Sequence, residues 1–299
     1  MRWEVAVENI SDDFLVEELK KRLSDNKKAL GDLRVLTKKL ETLNEKLAES
    51  EAVKGNFLSN IRNEINNPLA SIMGISKQLA GGTADLETAK LMAQTIHNEA
   101  FDLDFQLRNI FIAAELEAGE ADLSISRVDI DSLLRGLFDS FSHRAAEKHV
   151  TMELVWDIFR KTGEPVFFST DAGKLELILS NLLANAIEFN KDGKVVNVEI
   201  SREEQELTVR IEDEGIGIPA EQRDNLFTRF RQLDSGMRKA HRGHGLGLSI
   251  TKALVEMLDG RISFASSATG GCIFTISLKE SVGGSETETT SEEGNELLF

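Results

Sequence analysis

The sequence predicts a multidomain protein. An all-α coiled coil and helical hairpin, pairing with a second copy as a dimeric four-helix bundle, precede an α/β sandwich. Three observations predict this. Leucines recur on a seven-residue lattice near the start. Two apolar stripes at helical spacing flank the breaker Gly81-Gly82. After Gly119 the texture changes to strand-like segments alternating with helical ones.

Bulk composition narrows the function classes. The 299 residues have room for two domains, and an apolar share of 41% is enough for packed cores. A net charge of −16 argues against a general affinity for nucleic acid or anionic membrane, both polyanions. The single cysteine, Cys272, excludes an internal disulfide framework and fits a reducing compartment. There is no apolar run of membrane-spanning length, and the opening residues lack the core of a signal peptide. A cytoplasmic protein without direct membrane insertion is expected.

The elements follow in chain order. Residues 1–13 form a short N-terminal segment. Residues 14–56 are rich in Leu, Lys and Glu, with Leu19, Leu33, Leu40 and Leu47 on one heptad lattice and Leu23 and Leu30 on the next. That reads as a coiled-coil seam, interrupted by Asn26, Thr37 and Asn44, polar residues that cost stability but can fix register or let a signal rotate the helices; one amphipathic helix packed on another domain is the alternative. Residues 57–120 make the hairpin. Its first stripe is Leu58, Ile61, Ile65, Ile72, Ile75 and Leu79. Gly81-Gly82-Thr83 breaks the helix, and Asp85 is expected to cap the next. The second stripe runs through Leu86, Ala89, Ala93, Ile96, Ala100, Leu103, Leu107, Ile110 and Ala114. Two such helices cannot bury their stripes alone, and a homodimeric bundle solves that.

Residues 121–279 are the sandwich. Strands are expected over 151–155, 194–201, 206–212, 261–265 and 272–278, and helices near 130–148, 173–189 and 248–258. Residues 280–299 carry glutamates and no basic residue, which predicts a disordered acidic tail.

Four segments of the sandwich point to nucleotide chemistry. Asn181 and Asn185, four apart, present two amides from one helix face, and amide oxygens suit a magnesium ion. Asp213-Glu-Gly215-Ile-Gly217 ends a strand alternating Leu207, Val209 and Ile211. A carboxylate there can accept a hydrogen bond from the exocyclic amine of adenine, while the glycines let backbone approach closely. Arg242-Gly243-His-Gly245-Leu-Gly247 runs into a helix, so its N–H groups can meet phosphate oxygens. Around Leu226-Phe-Thr-Arg229-Phe230, the stretch 220–242 holds six Lys or Arg and three acids, a basic lid in an acidic chain.

In order and spacing, these segments resemble the N, G1, F and G2 boxes of the ATPase domain shared by histidine kinases, gyrase, Hsp90 and MutL. The resemblance implies ATP and Mg2+ as cofactors, Asn185 as magnesium ligand, with Asn181 a second candidate, and Asp213 as adenine reader. Gly215, Gly217, Gly243, Gly245 and Gly247 shape the pocket, and Arg229 is a lid arginine. Two positions depart from it. Glu188 stands where the kinases often carry a base, and Cys272 where they often carry threonine.

Upstream, Phe57-Leu-Ser-Asn-Ile-Arg-Asn63-Glu64-Ile-Asn-Asn67-Pro68-Leu69 resembles the phosphoacceptor segment of sensor histidine kinases, with Asn63 at the acceptor histidine. The resemblance covers about residues 54–279 and implies a response-regulator receiver domain as partner. On a helix Asn63 lies almost opposite Ile61 and Ile65, and an exposed position is expected. A neutral imidazole nitrogen is a nucleophile near neutral pH, whereas the lone pair of an amide nitrogen is delocalised into its carbonyl. Autophosphorylation at position 63 is therefore expected to be absent. Both an engineered substitution in an active kinase and a natural pseudokinase fit.

Glu64 and Asn67 match the pattern of family members that dephosphorylate their receivers; an amide at position 67 can hold a water in line with the aspartyl phosphate, and a hydrogen-bonding role beside the Pro68 kink is the alternative. An ATP-gated scaffold or clamp is the alternative from another class. His97, His143, His149, His241 and His244 lack the acceptor context.

Overall fold

The computed structural model describes residues 12–82, 84–156, 165–223, 225–228 and 245–281, and within its first helix the side chains of residues 16–44, 62 and 65–82. By Cα packing the chain divides into two units, Met1–Leu58 and Ser59–Phe299.

The first helix, α1, covers Asp12–Ala80. In the first unit, Leu19, Leu23, Leu30, Leu33 and Leu40, which the heptad spacing places on the expected seam, all lie exposed. Thr37, a polar residue of the seam, satisfies its hydroxyl locally by donating to the Leu33 carbonyl at 2.9 Å.

In the second unit, Pro68 lies inside α1, which ends at the glycine pair where Gly81 N–H turns back onto the Lys77 carbonyl. The second helix, α2, covers Leu86–Ala118. Asp85 caps it as expected, its carboxylate accepting from Thr88 N–H at 2.8 Å, and Gly119 closes it at φ 71° in the left-handed region.

The α/β part begins with strand β1 (Ile125–Asp129) and helix α3 (Ile130–Glu147). Strands β2 (Thr151–Trp156) and β3 (Phe167–Asp171) lead into helix α4 (Ala172–Glu188). Strands β4 (Val195–Glu203) and β5 (Glu206–Asp213), the short helix α5 (Ala220–Arg223) and helix α6 (Gly247–Met257) follow, then β6 (Arg261–Ser266) and β7 (Cys272–Lys279). The five main strands are ordered β2-β4-β5-β7-β6, with β2 parallel to β4 and the other pairs antiparallel.

Period-two alternation places Val196, Val198 and Ile200, Leu207, Val209 and Ile211, and Phe274, Ile276 and Leu278 on the buried face. Register lines them up in rows such as Val198–Ile211–Phe274. Leu134 and Phe141 of α3, Leu175, Ile178 and Leu182 of α4, and Leu254 of α6 fill the core beside them. The expected strands and helices all occur, within a few residues of their expected bounds. A separate antiparallel pair, β1 with β3, adds to that expectation, joining residues far apart in sequence through Ile125–Asp171 and Asp129–Phe167.

The α/β part rests on the side of α2 opposite the predicted stripe. Phe101 and Phe105 meet Phe141 of α3 edge-on, with ring centroids 5.4 Å and 5.8 Å away. Arg108 reaches Glu176 of α4 at 3.5 Å. On the lattice of the helix these residues fall across from Leu103, Leu107 and Ile110 of the expected stripe.

Candidate functional site

The site is built where β5 ends beside α4. Strand alternation turns Asp213 inward, and it is 4% exposed. Gly215 N–H donates to its Oδ1 at 2.8 Å and Cys272 N–H donates to the same oxygen at 3.1 Å. Among the described residues no donor reaches Oδ2, so one oxygen stays available for a ligand amine. Burial pushes this carboxyl above its ordinary range, more than the two N–H groups and Lys191 hold it down.

Two glycines are required by the geometry. A Cβ on Gly215 would run into the Phe189 carbonyl and the Asp213 carboxylate. Gly217 sits at φ 69°, and a Cβ there would meet the Gly270 carbonyl. Backbone approaches the Asp213 carboxylate at Gly215 and again at Gly271, where an added Cβ would sit 2.8 Å and 2.7 Å from Asp213 Oδ1. Ile216 N–H donates to the Phe189 carbonyl at 3.2 Å, fastening this turn to the end of α4.

The Asp171 carboxylate caps α4 by accepting from Lys174 N–H at 3.0 Å and also accepts from Ser124 N–H at 2.8 Å. Burial acts to raise this carboxyl, but these N–H groups and the Lys174 ammonium outweigh it and leave it below the usual range. Further along α4, Asn181 is buried and Asn185 half-buried. Asn181 Nδ2 donates to Asn109 Oδ1 of α2 at 2.8 Å. Glu188, the departure noted in the sequence, meets Lys148, the residue that follows α3, at 3.1 Å, so a cation does stand beside the helix end.

Gly245 and Gly247 lead into α6, whose first turn carries no side-chain cap. The first N–H groups of such a helix start can serve an acceptor. Gly247 packs on Asn181, since a Cβ at Gly247 would sit 3.1 Å from Asn181 Oδ1. Asp213 and Gly215 lie beside Phe189 at the end of α4, Gly217 lies against Gly270, and Asn181, earlier on α4, lies against Gly247 at the start of α6. Arg229, Arg242 and Gly243 lie outside the described residues, as do the side chains of Asn63 and Glu64. Asn67, on α1, is exposed.

Cys272 lies against Asp213. Burial and that neighbouring carboxylate push its thiol up to about 12, so it stays protonated near neutral pH. Phe101, Asp102, Phe105 and Asn109 are absent from the sequence expectation. The spacing of four from 101 to 105 to 109 is the signal that points to them.

The donor set fits a magnesium-bound adenine nucleotide: a carboxylate with an open oxygen under close backbone, an amide on the next helix and an uncapped helix start. Among the described residues no group of three or more His, Cys, Asp or Glu is arranged for a metal. No helix among them is long and apolar enough to cross a membrane.

Comparison with known proteins agrees with the geometry. Residues 170–282 match the histidine kinase-, DNA gyrase B- and HSP90-like ATPase family. The chain is 30% identical over 259 residues to hybrid signal transduction histidine kinase D of Dictyostelium discoideum, covering 84% of this chain and 16% of that protein. It is 31% identical over 255 residues to the signal transduction histidine-protein kinase BarA of Escherichia coli (strain K12), covering 84% of this chain and 27% of that one. The chain thus spans well under a third of the length of either relative. In fold it is similar to full-length ShkA in complex with AMPPNP, with a TM-score of 0.52 and 23% identity over 77% of this chain and 47% of that one. The glycine-walled carboxylate, the order of its elements and these relatives agree: the chain belongs to the sensor histidine kinases, with an ATPase domain of the histidine kinase, gyrase and Hsp90 type.

Proposed function

We propose that this chain is a two-component histidine kinase core that binds Mg-ATP and a receiver domain but cannot phosphorylate itself. The observation that carries the reading is the buried Asp213 carboxylate, held through one oxygen by two backbone N–H groups and walled by glycine backbone. That arrangement accepts a flat ring bearing an amine, and Asp213 takes the hydrogen bond from the exocyclic amine of adenine. Asn185, with Asn181 as second candidate, holds Mg2+, which neutralises charge across the phosphates. Gly243, Gly245 and Gly247 present backbone N–H groups to the phosphates, and Arg229 and Arg242 close over them. Two copies of the chain pair through the coiled-coil leucines and the hairpin stripes, and the receiver docks on the resulting bundle.

In an active kinase of this design, an imidazole nitrogen bonds to the γ-phosphorus as the bond to the bridging oxygen breaks, and ADP departs. Asn63 has no such lone pair, so the transfer stops there. The test is Asn63→His with labelled ATP. Acid-labile, protein-bound label in the variant and none in the parent is the expected result; no label in the variant would overturn the reading.

A second reading is favoured by the exposure of Asn67 next to Pro68. It assigns Glu64 and Asn67 to receiver dephosphorylation, which needs no histidine. Asn67→Ala should then slow the decay of a phosphorylated receiver, and equal decay rates would sink it. Steady ATP hydrolysis with no receiver present would instead favour an ATP-driven clamp or scaffold.

A further inference from the structure

The polar contact between the hairpin and the ATPase domain has an unusual form. Asn109 of α2 is 7% exposed, and both ends of its amide are engaged. Its Nδ2 donates to the Phe105 carbonyl on its own helix at 2.9 Å, which fixes which way the amide faces. Its Oδ1 is thereby aimed across the interface and accepts from Asn181 Nδ2 at 2.8 Å. Asn181, itself 4% exposed, is oriented in turn, because its nitrogen is taken by Asn109 and its oxygen must lie on the other side. That side is Gly247, the first residue of α6, where an added Cβ would sit 3.1 Å from Asn181 Oδ1. A continuous series of contacts therefore runs from α2 through Asn109 and Asn181 to the end of the glycine turn.

We propose that Asn109 is a positioning residue: by fixing the Asn181 amide it sets the phosphate end of the nucleotide site, so that seating of the ATPase domain on α2 and binding of the phosphates are linked. Asp213 and the cradle around the adenine lie at the other end and make no contact with Asn109 among the hydrogen bonds of the described residues. The inference rests on the nucleotide reading given above. It adds that the hairpin contributes to the phosphate half of the site and not to the adenine half. Because linkage is reciprocal, a nucleotide that carries phosphates should also tighten the seating of the domain on α2, while a nucleoside should not.

The experiment compares ATP with adenosine on the full chain and on Asn109→Ala, by calorimetry for ATP and by NMR titration for adenosine. Asn109→Ala is expected to weaken ATP about fivefold to twentyfold, the lower part of the usual range of such coupling, and to leave adenosine unchanged. Retained adenosine binding also reports that the domain is folded. Asn109→Ser, whose hydroxyl is too short to reach Asn181, gives the same selective loss. In an Asn181→Ala background, Asn109→Ala should add nothing further. Unchanged ATP affinity in both position-109 variants, or an equal fold-loss of ATP and adenosine, overturns the proposal. Failure of the unsubstituted chain to bind ATP removes the nucleotide reading, and this inference with it. Normal ATP binding that Asn109 does not affect removes the inference alone.

Discussion

Asp102 of α2 and Arg144 of α3 form a two-pronged contact, with Asp102 Oδ1 accepting from Arg144 Nε at 2.7 Å and lying 2.6 Å from Arg144 Nη2. The guanidinium lies near three phenylalanine rings, those of Phe101, Phe105 and Phe141, at 5.2 to 5.8 Å. Together with the Asn109 amide, this pair fastens the ATPase domain to the hairpin. Asp102→Ala leaves a largely buried cation without its carboxylate and is expected to cost about 2 kcal/mol. Asp102→Asn keeps one acceptor and should cost about half as much. Urea unfolding midpoints check this, and equal midpoints for both variants and the parent would contradict it.

Asp213→Asn separates binding from stability. The amide oxygen still accepts from Gly215 and Cys272, but no charge has to be buried. Burial raises the folded carboxyl above its ordinary value, so its contribution to stability is greatest below the unfolded value and declines as pH rises through the folded one. The asparagine variant lacks that decline. Its thermal midpoint should draw level with or exceed the parent's as pH is raised from acid to neutral, while nucleotide binding is lost. A variant that falls progressively behind the parent over that range would contradict the sign.

Gly215→Ala adds a methyl where the Phe189 carbonyl and the Asp213 carboxylate already stand. Overpacking of this kind costs about 1–3 kcal/mol. The wall of the cradle must shift, so nucleotide affinity should fall at least tenfold in a calorimetric titration. Retention of full affinity would show that the close approach plays no part in binding.

Cys272 should be inert in the native protein. With its thiol pushed up to about 12 and its side chain buried, the reactive thiolate is scarce at neutral pH. Labelling by iodoacetamide at pH 8 is expected only after urea is added, as followed by mass. Rapid native labelling would contradict the burial.

What the sequence makes legible here is what is local. The Asp85 cap, the glycine break before it and the alternation Leu207, Val209, Ile211 depend on neighbours a few residues away, and they appear where expected. So does Asp213, because a strand end followed by two glycines leaves little choice of geometry. The pairing of β1 with β3 is not local. Val128 is the one buried residue of β1, too little for an alternating signal, and its partners, residues 167–171, lie outside the strands expected from the sequence. Asn109 stays hidden for another reason. A buried amide looks like a surface residue until its partner, Asn181, is found on a different helix.

The anchoring of α2 to the ATPase domain has a mechanical consequence. Side-chain tips stand about 5–6 Å from a helix axis, so turning α2 by about 10° carries them about 1 Å sideways. The 2.8 Å Asn109–Asn181 bond and the Asp102–Arg144 pair both sit at that radius and cannot follow such a turn unless the ATPase domain turns too. Coupled to the domain in this way, α2 is an axle with very little angular play: torque applied to it turns the domain until these two contacts give way.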